Sequence, residues 1–94
     1  MSEKRSERCE VYYSGRVQGV GFRYTVRSLA RGFAVSGFVK NLFDGRVQVV
    51  AEGTPEELHA FLAAIRGEMG HYISDTQESA AGATGRFQGF GIRF

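Results

Sequence analysis

One cysteine in the whole sequence, Cys9, excludes an internal disulfide and suits a reducing compartment. Cys9 has no histidine near it and alternates with Val11 and Tyr13 along a strand, which argues against a thiol nucleophile. The two histidines, His59 and His71, lack metal-ligand spacing, so no metal is expected. Long apolar runs are missing as well. The longest uninterrupted one, Ala60 to Ile65, falls far short of the roughly 20 residues that a spanning helix needs. Nor is one sign of charge in excess: 12 Lys and Arg against 10 Asp and Glu leave a formal net charge of +2. So weak a field recruits neither nucleic acid nor an acidic membrane surface. Residues 1–8 mix charges with small polar side chains and carry no apolar segment, which predicts a flexible solvated tail rather than a signal peptide. A cytoplasmic protein is expected.

What is present is a packed core. Of 94 residues, 43% are hydrophobic, with eight Phe and four Tyr, which suits one small domain over residues 9–94. Cys9 to Tyr13 alternates as a first strand, with Glu10 and Tyr12 on its other face. A helix over Tyr24 to Phe33 follows, its buried stripe built from Phe22, Val26, Leu29, Ala30 and Phe33. Arg27, Ser28 and Arg31 take its solvent side, and Gly32 is a plausible stop. Val35 to Leu42 and Arg46 to Glu52 are β-rich runs joined by a turn at Phe43-Asp44-Gly45, and should pair antiparallel. Thr54-Pro55-Glu56-Glu57 is a capping box that opens a second helix, which buries Leu58, Phe61, Leu62 and Ile65 and ends near Gly67 and Gly70. Tyr72 to Glu78 reads as a strand. Ser79 to Gly85 reads as a mobile small-residue loop, in which a hairpin would add a short fifth edge strand. Phe87 to Phe94 closes the chain. The order is that of an α+β, ferredoxin-like split βαβ sandwich (βαββαβ): a mostly antiparallel sheet of four to five strands with two helices on one face.

Between the first strand and the first helix lies Gly15-Arg16-Val17-Gln18-Gly19-Val20-Gly21-Phe22-Arg23. Three glycines within seven residues let successive N–H groups turn inward as a concave ring of donors, and the positive end of the helix dipole faces the same point. Arg23 is a cation in the first helical turn, where it opposes the dipole unless an anion sits between them. Its planar fork fits two phosphate oxygens. The stretch is not a Walker loop, because the G-x-x-x-x-G-K-[ST] spacing and lysine are absent. Nor is it a dinucleotide fingerprint, since Tyr24 occupies the third glycine's place. Thiol-phosphatase chemistry needs a cysteine six residues before the arginine, where Val17 stands. A glycine-rich turn without ligand remains the plain alternative.

Topology brings a second residue into range. In a split βαβ unit the first two strands run parallel with the third inserted antiparallel between them, so their C-terminal ends share one edge. Asn41, at the end of the second strand, is thereby carried toward Arg23. It has an ordinary role as a turn former before Asp44-Gly45. Its amide also offers donors and an acceptor without charge, which suits the holding of a water molecule.

The run S-G-R-V-Q-G-V-G-F-R, followed by G-F-V-K-N-L-F-D-G-R-V-Q, resembles the acylphosphatase family, and the likeness extends from about Cys9 to the closing F-Q-G-F-G-I-R-F. The resemblance implies hydrolysis of a small-molecule acyl phosphate without cofactor. Arg23 and the amides of residues 15–23 would hold the phosphoryl group, and Asn41 would position the attacking water. Phe38 stands where the family often has tryptophan, and Lys40 where it often has arginine, a change that bears on substrate preference. The chemistry agrees with these residues: a carboxylate leaves without a protein general acid, and a loose phosphoryl transition state asks chiefly for positioning and charge stabilisation. The family as usually described gives the water's proton to a phosphate oxygen of the substrate.

Two rival readings differ in kind. RNA-recognition modules share this element order, and Gly89-Phe90-Gly91-Ile92-Arg93-Phe94 echoes their aromatic strand. In those modules, however, it is the third strand, and Arg46 to Glu52 has no aromatic residue to stack bases. The second is an anion-binding module of the same fold that does not turn over. No leftover apolar stripe calls for a partner, so a monomer is expected.

Overall fold

A computed structural model describes residues 5–94. Its elements follow in the order β1 (Glu7–Gly15), α1 (Phe22–Ala30), β2 (Ser36–Asn41), β3 (Val47–Gly53), α2 (Pro55–Met69), β4 (Ile73–Gly82) and β5 (Phe90–Arg93), with one 3-10 turn over Gly70–Tyr72. The strands form one sheet in the order β4-β1-β3-β2-β5, the ferredoxin-like arrangement with an added edge. β3 is antiparallel to both β1 and β2, so β1 and β2 run parallel and end on the same side, as the split βαβ order requires.

The alternating residues decide which face is covered. Val11 and Tyr13 of β1, Val39 of β2, and Val47, Val49 and Ala51 of β3 pack with Phe22 and Val26 of α1 and Phe61 and Ile65 of α2 in one core. Each large side chain fully buried there contributes about 1.5–3 kcal/mol. Burial also pushes the Cys9 thiol up to about 11, with a smaller push from Glu78, so the cysteine is an inert core residue.

Several boundaries differ from the sequence expectation, each for a tertiary reason. β1 begins at Glu7, because Glu7 and Arg8 pair with Gly53 and Glu52 on one side and with Gly82 and Ala81 on the other. The expected tail thus gives up residues 7 and 8 to the sheet, while residues 1–4 lie outside the described residues. α1 starts at Phe22 and stops at Ala30, where N–H groups of Gly32 and Phe33 bond back to Leu29 and Ala30 carbonyls. The capping box is half formed. Thr54 Oγ1 accepts from the Glu57 N–H at 3.3 Å, but the Glu57 carboxylate turns outward to accept from the Ala34 N–H at 2.7 Å. It ties the start of α2 to the α1–β2 connection.

The expected loop at 79–85 requires the largest correction. Residues 79–82 extend β4, because β1 offers them a long backbone partner: Ser79 pairs with Glu10 and Ala80 with Cys9. The fifth strand is not a hairpin there. It is β5, which crosses to the opposite edge and pairs parallel with β2, Gly37 with Phe90 and Lys40 with Arg93. The crossing segment covers the helix-free face of the sheet. Phe87 stacks near Phe38 with centroids 5.9 Å apart, and the Arg93 guanidinium lies 4.0 Å over the Phe38 ring.

Glu52 fastens this crossing. Its buried carboxylate accepts from the Thr84 N–H and hydroxyl, both at 2.8 Å, and from the Gly85 N–H at 2.9 Å. Burial alone would raise its pKa, but these bonds together outweigh burial and hold it below the ordinary carboxylate value. A carboxyl with a lowered folded pKa stabilises the fold above its unfolded pKa and loses that contribution as pH falls through the folded value. Glu52→Gln is expected to cost about 1–3 kcal/mol at pH 7 and to flatten the acid side of the profile. Urea denaturation from pH 7 down to pH 3 measures both effects.

Candidate active site

The loop between β1 and α1 is shaped by three backbone constraints. Gly15, at a bulge of β1 against β4, has φ 122°, and a Cβ there would strike the Tyr72 carbonyl. Only glycine fits that approach. The next N–H, of Arg16, donates to Tyr72 O at 2.9 Å. At the other end Gly21 caps α1 in the left-handed region, φ 76°, with no side chain satisfying the helix N–H groups and no acidic residue in the first turn. From Val17 through Tyr24, no backbone N–H donates to another group among the described residues. Such a run of free donors at a helix start suits an anion.

A hollow of about 260 Å³ opens here, lined by Val17, Gly19, Gly21, Phe22, Arg23, Tyr24 and Asn41. Arg23 therefore meets Asn41, as the shared strand edge implied. Asn41 lies on the same face of β2 as core residue Val39, and its buried Oδ1 has no hydrogen-bond partner. A buried acceptor without a partner costs about 1–3 kcal/mol. Arg23 makes no ion pair among the described residues. Its guanidinium lies 4.8 Å over the Phe94 ring, which holds the fork without neutralising it.

Of the nine loop residues expected to bind substrate, Gly15, Arg16, Gln18 and Val20 do not line the hollow. Gly15 and Arg16 turn the chain against the Tyr72 backbone, and Val20 packs toward the core. Gln18 is a latch. Its Nε2 donates to Leu42 O at 2.8 Å and Arg46 O at 3.0 Å, tying the loop to the turn that follows Asn41. That turn is braced by Asp44, whose carboxylate accepts from the Arg46 N–H at 3.1 Å and from Arg46 Nε at 2.8 Å. The backbone bond, with help from the guanidinium, holds the exposed Asp44 carboxyl below its ordinary pKa. Gln18→Ala would remove two hydrogen bonds, leaving the Leu42 and Arg46 carbonyls only their backbone donors, Gly45 N–H and Leu42 N–H, and would loosen the loop relative to Asn41. A cost of about 1–3 kcal/mol in thermal stability is expected, together with a fall in kcat of roughly 10-fold or more from misalignment.

Sequence reasoning missed Tyr24, which lines the hollow, and Phe94, which lies against Arg23. Tyr24 was read only as a helix residue, and Phe94 only as the end of a strand. Tyr24 carried one faint signal, its place directly after the arginine in the first helical turn. Phe94 carried none, because the parallel β5–β2 pairing brings it against Arg23.

A family model described as Acylphosphatase matches residues 9–92. The chain belongs to the acylphosphatase family. It is 53% identical over 57 residues to an acylphosphatase of Archaeoglobus fulgidus, a match covering 61% of this chain and 64% of that relative. To one from Mycobacterium sp. (strain JLS) it is 46% identical over 67 residues, 71% of each chain. The first of these matches thus spans less than two thirds of the relative's length. The crystal structure of acylphosphatase from Bacillus subtilis superposes with a TM-score of 0.84 at 31% identity, covering 94% of this chain and 99% of that one. Within the acylphosphatase fold, then, the free N–H groups, Arg23 and the unpartnered Asn41 oxygen fall at one edge of the sheet. Among the described residues no helix is long and apolar enough to cross a membrane, and no three His, Cys, Asp or Glu side chains cluster as metal ligands.

Proposed function

We propose that this chain is an acylphosphatase that hydrolyses the carboxyl–phosphate bond of small acyl phosphates. The observation that carries the reading is the convergence of unspent N–H donors, an unpaired Arg23 and the buried Asn41 oxygen on one hollow. The phosphoryl oxygens sit on the amides of the loop residues that line the hollow, Val17, Gly19, Gly21, Phe22 and Arg23, and on the Arg23 fork, where charge that spreads over the equatorial oxygens meets fixed donors. A water accepted by Asn41 Oδ1 attacks phosphorus in line with the acyl oxygen. As the new P–O bond forms, the bond to the acyl oxygen breaks and its electron pair leaves with the carboxylate. The water's proton passes to a phosphoryl oxygen, so the products are carboxylate and dihydrogen phosphate. The leaving carboxylate is a weak base, hence no side chain has to protonate it and no metal is needed. The enzyme works as a cytoplasmic monomer in this reading.

The test is release of inorganic phosphate from benzoyl phosphate in excess EDTA. Saturable turnover above the uncatalysed rate is expected. Phosphate binding without turnover would make the same loop a non-catalytic anion site.

A further inference from the structure

A second cleft, of about 350 Å³, opens between α2 and the edge strand β4, and neither Arg23 nor Asn41 lines it. Its floor is apolar: Leu62 is buried, Ile73 is half-buried, and the Tyr13 ring packs on Phe22 with centroids 5.3 Å apart. Polar groups border this floor without partners. Residues paired directly across two strands share a face, so Thr76, opposite Tyr13, and Glu78, opposite Val11, point to the helix side. Arg66 comes from α2, one turn after Leu62, and lines the same cleft. Neither Arg66 nor Glu78 makes an ion pair among the described residues, so two opposite charges face one cleft without closing on each other. Tyr13 is only 4% exposed and lines the cleft, and its hydroxyl bonds to no group among the described residues. Burial, with smaller pushes from Cys9 and Glu78, raises its pKa, which keeps the phenol protonated as a donor.

We infer that this cleft binds a small zwitterion with an aliphatic body, of the class of an apolar α-amino acid. Charge decides the class. A simple anion would pair with Arg66 but lie against the carboxylates of Glu78 and Asp75, which also line the cleft, and a simple cation would meet Arg66 in turn. A molecule with both signs leaves neither Arg66 nor Glu78 unpaired. Its carboxylate takes the Arg66 fork and the Tyr13 hydroxyl, and its ammonium takes Glu78. The aliphatic body covers Leu62 and Ile73, as in small-molecule sites where an apolar lining carries a few convergent polar groups. The cleft shares no lining residue with the hollow at Arg23, so the inference holds whichever reaction that hollow performs.

The test is titration of the isotope-labelled full chain with L-leucine, followed through its amide NMR shifts. Saturable movement of the amides of Ile73 to Glu78 and of α2 from Leu62 to Met69 is expected, with a Kd on the order of 1 mM for a ligand of so few atoms. Isocaproate and isoamylamine, which keep the aliphatic body and one charge each, should bind about tenfold more weakly. Arg66→Gln and Glu78→Gln should each weaken leucine binding by about tenfold. Both side chains are exposed, so the fold should persist, which the unchanged amide shifts of the other elements would confirm. If one variant does not fold, the other variant and the two analogues decide. No saturable shift up to about 20 mM leucine, shifts confined to residues away from the cleft, a singly charged analogue that binds as well as leucine, or a folded variant that binds it like wild type would each overturn the site.

Discussion

Arg23→Ala is expected to lower kcat/KM for benzoyl phosphate by at least roughly 10²–10³-fold, the loss typical of one preorganised transition-state donor. The argument begins with its position. Arg23 stands in the first turn of a helix with no acidic residue there, so in the empty protein its charge opposes the dipole. Removing it relieves a few tenths of a kcal/mol of that repulsion, while losing the stacking on Phe94, about 0.5–1 kcal/mol at an exposed site. The two nearly cancel, so urea stability should change by less than about 1 kcal/mol. Activity and stability therefore separate. Arg23→Lys keeps the charge but loses the fork and should recover only part of the rate. Inhibition by inorganic phosphate provides the second readout, and its constant should weaken in Arg23→Ala because the loop amides act alone.

Asn41→Ala is expected to reduce kcat by on the order of 10²-fold or more, since the attacking water loses the acceptor that aims it. Phosphate inhibition should stay within a few-fold of wild type, because Arg23 and the loop N–H groups remain. This contrast distinguishes holding of the phosphoryl group from positioning of the water. Stability should hold or rise, since the substitution removes a buried oxygen that has no partner. Asn41→Asp tests the chemistry differently. A carboxylate in the same place still accepts a hydrogen bond from water but repels an anionic substrate, so KM should rise while the protein stays folded. Steady-state kinetics with benzoyl phosphate, alongside urea denaturation, measures all of these. Loss of phosphate affinity in Asn41→Ala would count against the division of roles.

Much of this arrangement was legible in the residues. Alternation in Cys9 to Tyr13 and the valines of the third strand named the covered face, and Thr54-Pro55 named the start of the second helix. The glycines at 15, 19 and 21 take positive φ, as the loop reading required. Asn41 could be brought toward Arg23 because strand direction follows from element order, with no side-chain contact needed. By contrast, the last four residues of β4, Ser79 to Gly82, are exposed and small, and no pattern in them announces a strand. Their order comes from backbone pairing with β1, which any sequence without proline can supply. The crossing of residues 83–89 was equally silent, since its anchor is a carboxylate 32 residues away in sequence from Thr84.

The sequence by itself determined the element order, the covered face, the glycine loop and the meeting of Arg23 with Asn41. Local propensity, periodicity and chain direction act over short spans and leave their mark in residue type. Only the tertiary structure decided which loop groups stay free. Arg16 spends its N–H on Tyr72, Gln18 spends its side chain on the β2–β3 turn, and Phe94 arrives beneath Arg23 through the last strand. Those outcomes depend on which partner reaches a given donor or ring first in space. Backbone carbonyls, identical at every residue, leave no trace of that competition in the sequence.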